Sequence, residues 1–190
     1  SFLSPGGPIG GFSVRGNMLY VAYELVGTGR YLGIYDVTNP TTFAAIGTLS
    51  LADFTSLSSG AQVIITGKTA YILGFTDTKL VTVDISTPST PVRKSAIALS
   101  EAPVRAVLAP DGIIYYVADG SGASTIRKVL LTDPLYPQEG AAISSLGDYA
   151  TELVIRDRTA YVSTRDSGAL YTIDLTTFSI VTSTATQNTR

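Results

Sequence analysis

Short apolar runs alternate with polar punctuation along the whole chain, at a spacing too tight for helices. Four of the runs are led by an aromatic residue: Leu19-Tyr20-Val21-Ala22, Ala70-Tyr71-Ile72-Leu73, Tyr115-Tyr116-Val117-Ala118 and Ala160-Tyr161-Val162-Ser163. Measured on Tyr20, Tyr71, Tyr116 and Tyr161, the steps are 51, 45 and 45 residues. A second landmark follows each one: Tyr35-Asp36-Val37, Val83-Asp84-Ile85, Val129-Leu130-Leu131 and Ile173-Asp174-Leu175. Two independent landmarks holding one period define an internal repeat. No stretch of about 10 or more residues keeps an uninterrupted helical period, so the chain reads as all β.

The second unit shows the pattern most fully, with strands predicted at 62–66, 70–74, 80–85 and 92–99. Its first pair turns at Gly67-Lys68, with counterparts at Gly16-Asn17, Asp111-Gly112 and Asp157-Arg158. Glycine in three of these turns supplies the positive φ that a tight hairpin needs. The third and fourth strands are separated by Asp84-Ile85-Ser86-Thr87-Pro88, whose Asp and Ser accept from following amides while Pro fixes φ. A four-stranded antiparallel unit of about 45 residues, repeated in tandem, is the signature of a β-propeller blade. Blades are predicted at about 12–51, 61–99, 104–146 and 151–187, after a Gly/Pro-rich connector at 1–11. A meandering sandwich is the alternative topology. One blade cannot bury both of its faces, so neighbours must stack on it. Four blades leave closure open. A compact four-bladed ring is expected; the alternatives are half of a larger ring completed by a second copy, or part of a longer protein.

Composition narrows the setting. Of 190 residues, 45% are hydrophobic and 15% charged, which excludes a disordered chain. The net charge is −2 with no basic block, so nucleic acid is not an expected partner. Cysteine is absent, so disulfides play no part and the redox compartment stays open. No apolar run approaches the roughly 20 residues of a membrane helix, so no membrane insertion is expected. The chain begins at Ser1 without a signal-peptide pattern, which reads as a processed mature form or a piece of something longer. Low charge with abundant Thr, Ser and Tyr leans towards an extracellular location or a cell or particle surface.

Histidine is also absent, which removes Ser-His-Asp and Cys-His nucleophiles and His-ligated metals together. Gly6-Gly7-Pro8 and Gly10-Gly11 do not open a helix after a strand, so they are not phosphate loops, and Gly120-Ser121-Gly122 reads as a turn. Carboxylates remain. Asp36, Asp84 and Asp174 recur at one blade position and are expected to cap their own turns in preference to ligating a hard cation. A second set, Asp53, Glu101 and Asp148, recurs where each of the first three blades hands over to the next, with Phe54 and Tyr149 beside it. These acids are expected to share one face with the turns at 24–30, 76–79, 119–125 and 165–168. Loops on a rigid scaffold are where binding concentrates, so Asp53, Phe54, Glu101, Asp148 and Tyr149 are the candidate binding residues.

The third strand and its turn carry a more specific signal. Leu80-Val81-Thr82-Val83-Asp84-Ile85-Ser86-Thr87-Pro88, followed by Thr90-Pro91-Val92, resembles the LVIVD-type propeller repeat, and Tyr31 to Pro40 matches nearly as well. Ala169–Thr177 keeps the strand and Asp174 but has Phe178 where Pro would stand. The third unit has Leu130 in place of the Asp, with Thr132-Asp133-Pro134 and Pro137 restoring the turn. The resemblance implies a binding or scaffolding module of a surface or secreted protein. A non-catalytic propeller, not an enzyme, is therefore expected, with no cofactor and no metal. Its expected partner is a protein or a second copy of itself, and a carbohydrate is a further possibility. The alternative is a carboxylate-dependent hydrolase or lyase acting on a carbohydrate, which requires two acids about 5 to 9.5 Å apart.

Overall fold

The computed structural model describes residues 6–39, 41–119, 123–143 and 146–185. The start of the predicted connector, the Gly120-Ser121-Gly122 turn, Pro40 and the last two residues of the fourth predicted blade lie outside the described residues.

The described chain forms sixteen strands in four antiparallel four-stranded sheets, each with its strands in chain order. Sheet 1 is β1 (Ile9–Arg15), β2 (Met18–Leu25), β3 (Gly29–Asp36) and β4 (Ala44–Ser50). Sheet 2 is β5 (Ala61–Thr66), β6 (Thr69–Gly74), β7 (Lys79–Asp84) and β8 (Val92–Ala98). Sheet 3 is β9 (Pro103–Leu108), β10 (Ile114–Asp119), β11 (Ser124–Leu130) and β12 (Gln138–Ile143). Sheet 4 is β13 (Ala150–Arg156), β14 (Thr159–Thr164), β15 (Ala169–Asp174) and β16 (Ser179–Ala185). The all-β architecture of four repeated sheets follows the expectation, and the strands of the second unit agree to within a residue at each end.

The first strand differs. β1 starts at Ile9, inside the segment read as a connector. Glycine makes that possible. A Cβ on Gly11 would lie 2.1 Å from the Ala61 carbonyl oxygen, and one on Gly10 would lie 2.6 Å from that of Leu57. Only a residue without a side chain lets β1 approach β5 so closely.

The register also reassigns one landmark. Tyr20, Tyr71 and Tyr161 face Ile34, Thr82 and Thr172, each two residues before the turn Asp. In sheet 3 the residue in that place is Tyr115, opposite Lys128 and two residues before Leu130. Tyr116 therefore points to the other face of its sheet, because neighbours along a strand alternate.

The chain forms two compact units. Unit 1 runs to Ser100 and includes Asp133–Tyr136; unit 2 comprises Glu101–Thr132 and the chain from Pro137. In unit 1, Tyr20, Ala22, Leu32 and Ile34 of sheet 1 share a buried core with Val63, Ala70, Ile72, Val81 and Val83 of sheet 2. Leu51, Phe54 and Leu57 from the connecting loop complete it. In unit 2, Tyr115, Val117 and Ile126 of sheet 3 share a core with Leu153, Ala160, Val162 and Ile173 of sheet 4. Each unit is thus two sheets stacked face to face, as blades that cannot stand alone require.

The turn acids cap their turns. Thr38 N and Oγ1 donate to Asp36 Oδ1 at 2.8 and 2.6 Å, Ser86 N to Asp84 Oδ1 at 2.9 Å, and Thr176 N to Asp174 Oδ1 at 2.7 Å. In the third repeat, where Leu130 replaces the Asp, Asp133 does the same for Leu135 N at 2.9 Å.

Candidate functional site

Two of the predicted acids converge on one strand end in unit 2. Glu101 stands just before β9, and its carboxylate accepts from Thr125 Oγ1 and, at 3.0 Å, from Arg127 Nη2, both on β11. Asp148 meets the adjacent residue, since Ser124 N donates to its carbonyl at 3.1 Å. Ser124 Oγ donates to Asp119 Oδ1 at 2.8 Å and accepts from Ala150 N at 2.6 Å, tying β11 to the start of β13.

The two carboxylates differ in what they can do. Asp148 is buried, and it accepts from Tyr149 N at 2.6 Å and Ser167 N at 2.5 Å. The Ser167 amide, chiefly, holds its carboxyl below the usual range. Asp148 is a loop anchor. Tyr149 beside it lies under the Arg165 guanidinium, 4.9 Å from the ring centroid. Glu101 is more open, with 25% of its side chain exposed. Its hydrogen bond from Arg127 is the main reason its carboxyl sits low, so it is an anion at neutral pH.

Arg127 joins a second carboxylate to the first. Its Nη1 lies 3.9 Å from Glu139 Oε1, the oxygen that accepts from the Tyr116 hydroxyl. Burial, then the bond to Glu139, pushes the Tyr116 phenol far up, so it stays a neutral donor. Glu101, Arg127, Glu139 and Tyr116 form one cluster, of which Glu101 keeps the most exposed side chain among the three charged residues. Arg127, Thr125 and Glu139 do not belong to any recurring set, and Tyr116 is counted in one whose place in the fold Tyr115 takes. The signal in the sequence is local: Arg127-Lys128 sets two cations in mid-strand where sheets 1, 2 and 4 carry Gly33-Ile34, Val81-Thr82 and Tyr171-Thr172.

In unit 1 the remaining candidates are committed elsewhere. Arg93 clamps Asp53 through two bonds of 2.7 Å, and Lys79 Nζ donates to its carbonyl at 2.6 Å. Phe54 is buried in the core, against Gly74. Around them the loop 53–60 is wrapped on two further carboxylates. Glu24 Oε2 accepts from Ser56 Oγ, Leu57 N and Ser58 N at 2.9, 2.8 and 3.2 Å. Asp77 accepts from Thr55 N at 2.9 Å and Ser56 N at 3.2 Å. Glu24 Oε1 pairs with Arg30 at 3.4 Å, and the loop held by these acids carries Phe54 and Leu57 into the core.

An open depression of about 220 Å³, lined by Asp111, Arg158, Leu175 and Thr176, lies at the hairpin end of unit 2. It is at the opposite strand ends from Glu101, and Asp111 is already used by Ile113 N and the Tyr115 hydroxyl at 3.0 Å each.

Residues 6–49 and 59–98 match the model of the LVIVD repeat, so the first two sheets carry that repeat. No curated protein matches the chain. Similar solved structures include a candidate 6-phosphogluconolactonase from Bacteroides fragilis, with TM-score 0.72 and 11% identity over 95% of this chain and 57% of that one. They also include the periplasmic gluconolactonase of Pseudomonas aeruginosa, with TM-score 0.68 and 14% identity over 95% of this chain and 58% of that one. The computationally designed Ika4 protein matches with TM-score 0.62 and 12% identity, over 92% of this chain and 96% of its own. At such identities the likeness is one of fold, and the chain spans a little over half the length of both gluconolactonases.

These likenesses correct the expectation of a non-catalytic module that is not an enzyme. That expectation rested on the repeat, the low charge and the absence of His and Cys, whereas structures of like fold include gluconolactonases. Opening a lactone requires neither a thiol nor an imidazole, and unit 2 holds a carboxylate beside a guanidinium.

Proposed function

From a chain whose first two sheets are LVIVD repeats, we propose that it is the catalytic part of a hydrolase that opens a sugar-derived lactone. The observation that carries this reading is the Glu101–Arg127 pair: an ionised, partly exposed carboxylate 3.0 Å from a guanidinium at the loop end of unit 2. The two gluconolactonases of like fold support the substrate class.

The chemistry follows from the two groups. Glu101 removes a proton from water as the water oxygen bonds to the lactone carbonyl carbon. The carbonyl oxygen takes up the electron pair, and Arg127, with donors beyond the one given to Glu101, stabilises that oxyanion. The ring carbon–oxygen bond then breaks, the departing ring oxygen takes the proton back from Glu101, and a hydroxy acid leaves. Cleaving a glycosidic bond would instead need a carboxylic acid held protonated near neutral pH. Glu101 and Asp148 are both shifted the opposite way. The gluconolactonase of like fold is periplasmic, which, with the low charge, supports a location outside the cytoplasm.

Substrate preference tests the reading. Proton release from glucono-1,5-lactone is expected to exceed the spontaneous rate in proportion to protein, with no release of aryl alcohol from aryl glycosides. Glycoside cleavage without lactone turnover would overturn it.

A further inference from the structure

Three turns of unit 2 meet around the open depression of about 220 Å³ at its hairpin end. Asp111 comes from the β9–β10 turn, Arg158 from the β13–β14 turn, and Leu175 and Thr176 from the β15–β16 turn. The two charges do not pair with each other. Each Asp111 oxygen accepts one bond at 3.0 Å, from Ile113 N and from the Tyr115 hydroxyl. The Arg158 guanidinium forms no hydrogen bond or ion pair with the described residues. A guanidinium carries five N–H donors in a planar fork, and a carboxylate accepts at about four positions. The depression therefore presents an unused fork of donors, further acceptor positions on Asp111, and an apolar wall from buried Leu175.

Unit 1 bridges the corresponding place with its own chain. Its β5–β6 hairpin turns at Gly67 with φ 53°, as the β13–β14 hairpin turns at Asp157 with φ 54°. Arg15, at the end of β1, reaches that hairpin, and its Nη1 donates to Gly67 O at 2.5 Å. In sheet 3 the equivalent turn, residues 109–113, carries no cation and sets Asp111 on the depression instead. That acid is held firmly. The Tyr115 ring whose hydroxyl it accepts packs against Phe178 at 6.0 Å, and Phe178 stands two residues after Thr176 with φ 50°. A bulky residue at positive φ is strained and persists only where its surroundings hold it.

We propose that this depression is a binding site for a small zwitterion, of which a free α-amino acid is the simplest. The carboxylate seats on the Arg158 fork, the ammonium donates to Asp111, and an aliphatic side chain lies against Leu175. A ligand of one charge only would meet a like charge, since Asp111 repels an anion and Arg158 a cation; a zwitterion satisfies both. Charge-assisted bonds of this kind are the strong ones, and the guanidinium fork matches a carboxylate. The volume lies below the roughly 300 Å³ at which pockets for drug-sized ligands begin, so the ligand is small. The proposal is independent of the lactonase reading.

The test is a titration of the nitrogen-15-labelled full chain with L-leucine, followed by amide chemical shifts. Saturable shifts are expected at Gly112, Ile113, Arg158 and Thr176, with none at Glu101. N-acetyl-leucine, which lacks the ammonium, and leucinamide, which lacks the carboxylate, are each expected to bind at least about tenfold more weakly, the scale of one hydrogen bond to a charged group. Arg158→Gln is expected to weaken leucine by the same factor. The exposed side chain is the only part this variant changes, and the Arg158 carbonyl that accepts from Leu175 N at 2.9 Å is kept. No saturable shift with millimolar leucine overturns the proposal, as does an Arg158→Gln chain that binds leucine like the wild type. N-acetyl-leucine, gluconate or inorganic phosphate binding as tightly as leucine overturns it too, since the site would then select a bare anion.

Discussion

Single residues divide by what occupies their hydrogen-bonding atoms. Asp36, Asp84 and Asp174 spend an oxygen on their own turns, and that role was legible because Asp followed by Ser or Thr two positions on is a local pattern. Asp53, Glu101 and Asp148 were legible as a recurring set, but not their fates. Arg93 stands forty positions from Asp53, Arg127 stands twenty-six from Glu101, and Ser167 nineteen from Asp148. Partners at such separations are set by strand register, which an apolar alternation alone does not specify. The partial exposure of Glu101 and its pairing with one guanidinium are both properties of the folded unit.

At the scale of elements, the strands of the second sheet were legible to a residue because turn chemistry and alternation agree. Two departures have particular causes. Tyr115-Tyr116 offers two aromatics at one landmark, and the pairing with Lys128 selects Tyr115 for the repeat position. Gly10-Gly11 reads as a linker, yet it is where β1 passes against the 57–61 segment. The added Cβ in Gly11→Ala meets backbone, which cannot swing aside. We therefore expect this variant to lose about 1–3 kcal/mol of stability in urea unfolding. An unchanged midpoint would mean that β1 does not approach β5 as described.

For the whole molecule, the titrating groups set a pH window. Glu24, Asp36, Asp53, Asp77, Asp84, Glu101, Asp148 and Asp174 are all held below their ordinary values. Their contribution is complete above the unfolded carboxylate range, about 4 to 4.5, and is lost as pH falls from there through the lower values of the folded chain. Burial pushes Tyr71 up to about 12 and raises Tyr115 and Tyr116 as well. Above its ordinary 10.0, a tyrosine in the unfolded chain gives up a proton that the folded chain keeps, so stability falls as pH rises from there. Thermal unfolding followed across pH is expected to show a Tm plateau between about 5 and 9.5 with losses on both sides. A Tm that rises on acidification below 5 would contradict these assignments.

The most direct measurement is the rate of proton release from glucono-1,5-lactone at pH 7, wild type against Glu101→Gln. The variant keeps the size and shape of Glu101 and can still hydrogen-bond Thr125, but it cannot take a proton from water. The protein-dependent rate is expected to fall by at least about 100-fold, the lower range for loss of a general base. A Glu101→Gln protein that opens the lactone at the wild-type rate would contradict it.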